Sequence, residues 1–182
     1  METKADFRNH IKAKKREFSL DEKKQLSVPI FKTLEELAVF NKAKTILFYW
    51  SMKDEVHTHD VVTKWYQYKT ILLPSVNGAD LKLKQFTGTD NMEPGEGFGI
   101  GEPTGAYFTD YDKIDMIVVP GVAFDKQRNR LGRGRGYYDK LLQSQNAIKL
   151  GVCFNFQLFD SIPVDEHDIK MDLLISETWT SI

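Results

Sequence analysis

Residues 117–142 read IVVPGVAFDKQRNRLGRGRGYYDKLL. The stretch opens on a short apolar run, crosses a loop rich in Gly and Arg, and ends in a segment that reads as a helix. A strand feeding a loop that opens a helix is the repeating step of a parallel α/β sheet, and such sheets bind ligands where their strands end. Within the loop Gly132, Gly134 and Gly136 alternate with Arg133 and Arg135. Glycines let backbone N–H groups approach an anion closely, while guanidinium groups supply charge and paired hydrogen bonds. A helix starting near Tyr137 adds its dipole, a preference for anions on the order of 0.3–1 kcal/mol per exposed charge. Together these features describe a phosphate-binding loop. It is not a Walker A loop, which needs Gly-Lys-Ser/Thr, nor a dinucleotide fingerprint, which needs glycine where Tyr137 stands. Two other readings stay open at this point: glycines that only serve a tight turn, and an Arg-Gly run that binds single-stranded RNA by stacking and charge.

Outward from this stretch, apolar runs at Thr45–Tyr49, Thr70–Leu73, Ile114–Val119 and Ile148–Phe154 are continuous rather than alternating, as in strands buried on both faces. Helical segments are predicted between them at about 58–68 and 137–145, so strands and helices alternate. LKLKQF at Leu81–Phe86 does alternate and reads as a strand with one wet face. Two N-terminal helices are predicted, a charged one over about Lys4–Phe18 and a second started by the capping box Ser19-Leu-Asp-Glu22. Pro29 must then sit in the first turn of that second helix or kink it. Residues 87–111 show no period and are rich in Gly, Pro and Thr, which reads equally as an ordered functional loop or a surface excursion. The fold class expected is α/β, a single domain over 1–182 with three layers, a mostly parallel sheet flanked by helices, Rossmann-like but without the dinucleotide fingerprint.

The 182 residues, 41% hydrophobic, suffice for one core. A net charge of -1 offers no global attraction for nucleic acid or an anionic membrane, so an anion site has to be local. The longest apolar runs fall far short of the roughly 20 residues of a membrane span. The charged beginning METKADFRNHIKAKKR lacks a secretory pattern, and with the single Cys153 it points to a cytoplasmic protein. Cys153, inside KLGVCF, reads as core packing. His57 and His59 could pair on zinc if both lay on one strand face, but Thr58 between them reads as a helix cap.

RLGRGRGYYD at Arg130–Asp139, preceded by Pro120-Gly-Val-Ala-Phe-Asp125, resembles the signature loop of the 5-formyltetrahydrofolate cyclo-ligase family. The resemblance extends to Lys4 with Arg8, Met52-Lys-Asp-Glu-Val56, Phe98-Gly-Ile-Gly-Glu-Pro103 and Glu166-His-Asp168, in order along nearly the whole chain. It implies an enzyme of one-carbon metabolism, an ATP-dependent ligase that closes 5-formyltetrahydrofolate to 5,10-methenyltetrahydrofolate through a phosphorylated formyl group. It implies ATP contacts from Lys4, Arg8, Arg130, Leu131, Gly132, Arg133, Gly134, Arg135, Gly136, Tyr137 and Tyr138, and Mg2+ held by Asp139 and Asp168. The substrate, which could carry polyglutamate, would meet Trp50, Glu55, Phe98 and residues 133–137, with Arg133 and Tyr137 nearest the chemistry. The partners expected are thus these small molecules, with no nucleic acid, no membrane and a monomeric chain. A non-catalytic nucleotide module on the same fold is the alternative. One departure is Arg128, where the family's turn commonly has glycine; positive φ there would cost arginine about 1 kcal/mol or change the turn.

Overall fold

The apolar runs become strands because each can bury both of its faces. In a computed structural model, which describes residues 2–95 and 99–181, they form β1 (Thr45–Leu47), β2 (Thr70–Asn77), β7 (Met116–Val119), β10 (Ile148–Val152) and β12 (Leu173–Ile175). These five lie in the order β12-β10-β7-β1-β2, and every pairing among them is parallel. The edges are antiparallel: β3 (Asp80–Gln85) and β6 (Tyr107–Phe108) continue from β2, and β13 (Thr180–Ser181) flanks β12. Successive residues alternate between two cores. Ile46, Ile71, Leu73, Met116, Val118, Leu150 and Val152 face one side, while Leu47, Leu72, Ile117 and Val119 face the other. Helices α2 (Leu20–Glu36), α3 (Ala38–Lys42) and α4 (His59–Trp65) cover the first core through Ile30, Leu34, Phe40 and Val62. Helix α5 (Tyr137–Gln143) brings Leu141 and Leu142 to the second. The expected mostly parallel sheet flanked by helices is the observed one.

Helix α1 (Lys4–Lys15) packs Phe7 and Ile11 onto a smaller sheet of β8 (Ala123–Asp125), β9 (Arg130–Leu131) and β11 (Leu158–Phe159), through Val122, Ala123 and Leu131. It ends three residues before the predicted boundary because Phe18 turns out to stack on Phe156, centroids 5.0 Å apart. The Ser19 capping box forms as expected, with Ser19 Oγ accepting from Glu22 N and the Glu22 carboxylate accepting from Ser19 N. Pro29 lies in the interior of α2, not in its first turn. The carbonyl it leaves unpaired belongs to Gln25, an exposed residue that water can satisfy. The aperiodic segment 87–111 is not a bare excursion. It contains the hairpin β4 (Met92–Pro94) and β5 (Gly101–Pro103), fastened to β2 by Glu102, which accepts hydrogen bonds from Ser75 Oγ and, at 2.9 Å, from Val76 N. Cys153 is fully buried in the second core, which pushes its thiol pKa up.

Candidate active site

Beyond the ends of β1 and β7 a cleft of about 270 Å³ opens against β2, between the loop 132–136 and the segment that follows β1. That segment is fixed by its own side chains. Ser51 and Thr58 exchange hydrogen bonds, Ser51 N to Thr58 Oγ1 at 3.1 Å and Thr58 N to Ser51 Oγ at 3.0 Å. Tyr49 Oη donates to Val56 O across the same loop at 3.0 Å. Thr58 does precede α4, but its hydroxyl donates to Tyr49 O instead of capping the helix. The loop so closed presents Trp50, Met52 and Glu55 to the cleft.

Across the cleft, Arg130 is only 4% exposed and anchors the Gly/Arg loop from beneath, donating from Nη1 to Pro120 O and from Nη2 to Asp139 at 2.7 Å. A Cβ on Gly132 would lie 3.0 Å from that guanidinium, a tight contact that would press on the Arg130 anchor. Gly134 and Gly136 take φ of +99° and +70°, the second as the residue that starts α5. Arg8 reaches over from α1 and donates to Gly132 O at 3.0 Å. Arg133 spans the cleft: its Nη2 lies 2.8 and 3.0 Å from the two Asp54 oxygens and 3.0 Å from Glu55 Oε1. The other Glu55 oxygen accepts from Met52 N at 2.9 Å. Asp54 is also paired with Lys15 of α1 at 3.3 Å, a lysine whose side chain is almost wholly buried. Burial opposes the charge on Arg133, but Glu55 and Asp54 outweigh it and hold the guanidinium pKa above its ordinary value. Burial likewise works against the Asp54 carboxylate, yet Lys15 and Arg133 keep its pKa below the usual range. For Lys15 burial wins, and its pKa is lowered.

Of the residues singled out from sequence, Trp50, Glu55, Arg130, Gly132, Arg133, Gly134, Arg135, Gly136, Tyr137, Tyr138 and Asp139 line this one cleft. Leu131 does not; its side chain packs under α1 and its carbonyl accepts from Val122 N. Lys4 lies away from the cleft lining, paired with Asp165 at 2.8 Å and with Asp168. The two carboxylates assigned to Mg2+ therefore have different surroundings, Asp139 in the cleft against Arg130 and Asp168 on Lys4. Among the described residues no group of three or more His, Cys, Asp or Glu is arranged to hold a metal. A nucleotide-borne Mg2+ needs fewer, because it keeps several waters and shares one or two carboxylates with the phosphates. Phe98 lies outside the described residues.

The two tyrosines, whose roles the sequence leaves unranked, differ. Tyr137 Oη donates to Gly78 O at 3.2 Å, whereas Tyr138 Oη has no partner among the described residues, and burial raises its pKa. Trp50 stacks on His59 at 3.7 Å between ring centroids and 9° between planes, and more loosely on Phe86. His59 Nε2 lies 3.1 Å from Ser51 O, and burial beside His57 lowers its pKa to about 4, so it is neutral at pH 7. Sequence reading does not single out Lys15, and it gives Asp54 and Glu102, though inside the quoted motifs 52–56 and 98–103, no role of their own. Lys15 looks like any lysine on a solvated helix face, and only the fold brings it to Asp54.

The match to known proteins covers every element of this cleft. A family model described as the 5-formyltetrahydrofolate cyclo-ligase family matches residues 1–177. The chain is 31% identical to a probable 5-formyltetrahydrofolate cyclo-ligase of Schizosaccharomyces pombe over 172 residues, 82% of this chain and 83% of that protein. It is 30% identical to the 5-formyltetrahydrofolate cyclo-ligase of Mus musculus over 196 residues, 96% of this chain and 93% of that protein. The solved structure of the Aquifex aeolicus 5,10-methenyltetrahydrofolate synthetase is similar with a TM-score of 0.87 at 34% identity, covering 97% of this chain and 91% of that one. Sequence, fold and relatives agree that this chain belongs to the 5-formyltetrahydrofolate cyclo-ligase family, a family of ligases.

Proposed function

We propose that the chain catalyses the ATP-dependent conversion of 5-formyltetrahydrofolate to 5,10-methenyltetrahydrofolate. The observation that carries the reading is the juxtaposition of two chemistries across one cleft, a Gly/Arg loop suited to phosphates and a carboxylate, Glu55, suited to the paired N–H donors of an aminopyrimidinone, with Arg133 touching both sides. The loop residues 130–138, Arg8 on Gly132, and Lys4 one turn earlier on α1 hold the nucleotide in this reading. Trp50, Glu55, Phe98 and residues 133–137 hold the folate, with Trp50 kept flat by its stack on His59.

The step is a phosphoryl transfer followed by ring closure. The formyl oxygen attacks the γ-phosphorus, the bond to ADP breaks, N10 adds to the activated carbon with loss of its proton, and the C–O bond breaks to release phosphate. Such chemistry needs positioning and charge neutralisation rather than a protein nucleophile. Arg133 neutralises the phosphoryl group, and Tyr137 orders the loop beside it. Bound Mg2+ would neutralise phosphate charge; Asp139, in the cleft, and Asp168 are the carboxylates assigned to it, and Asp139 suits a site of one carboxylate plus phosphates. We read 1–182 as one domain, working as a cytoplasmic monomer without nucleic acid or membrane.

The test mixes purified protein with 5-formyltetrahydrofolate, ATP and Mg2+ and follows the ultraviolet absorbance of the methenyl product against an ATP-free control. ATP-dependent product is the expected outcome. ATP binding without product would replace this reading with a non-catalytic nucleotide module.

A further inference from the structure

Both oxygens of Glu55 are engaged by the protein itself, Oε1 by Arg133 and Oε2 by Met52 N. A substrate that takes Glu55 through paired N–H donors must therefore compete with Arg133 for that carboxylate. Arg133 meets Glu55 and Asp54 through the same terminal nitrogen, Nη2. Once Glu55 turns to the substrate, Asp54 is the carboxylate that remains on Nη2. Without it a half-exposed arginine side chain, with its many rotamers, would be free to leave the reacting groups.

Asp54 is itself held. Lys15, buried on α1, pairs with it at 3.3 Å. The same helix carries Arg8, whose guanidinium donates to Gly132 O in the loop that bears Arg133. Helix α1 thus holds the loop at two places, directly through Arg8 and through the chain Lys15, Asp54, Arg133. Two cations and two carboxylates balance in this row, so each of its charged groups has an opposite partner.

We propose that Asp54, oriented by Lys15, is a positioning residue that keeps Arg133 at the reacting phosphoryl group while substrate occupies Glu55. The inference rests on the reaction proposed above. It assigns to Asp54 no contact with either substrate. Its loss is therefore expected to lower kcat more than it raises KM for the folate.

The experiment is a double-mutant cycle on the full chain with 5-formyltetrahydrofolate, ATP and Mg2+, using Asp54→Asn, Arg133→Ala and the pair. Asp54→Asn is expected to lower kcat about 10-fold or more, the scale of a misplaced charged group, with folate KM changed less than about 3-fold. Asp54→Glu should recover part of kcat, and in the Arg133→Ala background Asp54→Asn should cost almost nothing further. Lys15→Met, which leaves both carboxylates in place, gives a second entry to the cycle if Asp54→Asn folds poorly by thermal melting; its kcat loss should likewise vanish in the Arg133→Ala background. Multiplicative losses in both cycles, or a wild-type kcat in Asp54→Asn, overturn the inference while leaving the reaction intact. Absence of methenyl product from the wild type removes the parent reading, and this inference with it.

Discussion

Arg128 sits in the turn between β8 and β9 with φ of +68°, the one non-glycine residue at positive φ among those described. The turn keeps the shape that favours glycine, and the arginine is held there by its contacts: its N–H donates to Asp125 O, its carbonyl accepts from Met171 N, and its Nη1 donates to Asp172 O at 2.8 Å. Arg128→Ala keeps the backbone strain and loses the side-chain bond, whereas Arg128→Gly loses the same bond but relieves the strain. Arg128→Gly should therefore be more stable than Arg128→Ala by about 1 kcal/mol in urea denaturation. Equal midpoints would mean that φ at this position carries no cost. Tyr138 offers a contrast at the same scale. Its hydroxyl is buried without a partner among the described residues, so Tyr138→Phe removes an unmet desolvation penalty and should leave stability unchanged or raise it by about 1 kcal/mol. A loss of more than about 1 kcal/mol would show that the hydroxyl has a partner, such as a bound water.

Helix starts were legible because their signals are local. Ser19 and Glu22 satisfy each other three residues apart, and the segment they open is a helix of 17 residues. Ser19→Ala should cost about 1 kcal/mol, the usual worth of an N-cap, read as a lower urea midpoint at unchanged slope; no shift would mean that the packing of α2 alone sets its boundary. The strands were legible for a similar reason, since runs such as Met116–Val119 can only be buried on both faces. Where an element depends on a distant partner, the sequence is silent. The β4–β5 hairpin is fastened by Glu102 reaching Ser75, 27 positions earlier, and no spacing rule marks that pair. Thr58 shows the limit from the other side: it stands where a cap belongs, yet its hydroxyl serves Tyr49 O. The same division runs through the cleft. Its loop was readable from 130 to 139 because Gly and Arg alternate, while Lys15 and Asp54 lie 39 residues apart and meet only in the folded chain.

At the scale of the molecule, the cleft wall is tied to the stability of the whole through Trp50 and its stack on His59. His59 is held neutral mainly by burial, then by His57, with a folded pKa of about 4 against an ordinary 6.5. His57 is lowered in the same direction, again first by burial. For a base whose folded pKa lies below its unfolded value, the unfolded chain binds the proton first as pH falls. The stability contributed by the neutral His59 ring is thus complete above pH 6.5 and is lost as the pH falls from there through the folded value near 4, with His57 acting in the same direction. Asp54, whose carboxyl pKa is depressed below its ordinary 3.8, loses its contribution only at lower pH, so the two windows separate. Urea midpoints for the wild type should change little between pH 7.5 and about 6.5 and fall from there to pH 4.5. His59→Phe keeps an aromatic ring to stack on Trp50 but cannot titrate, so its midpoint should fall distinctly less across the same range, whatever its absolute stability. Parallel curves for the two proteins would mean that His59 is not the group responsible, and that the acid sensitivity lies with His57 or outside the cleft wall.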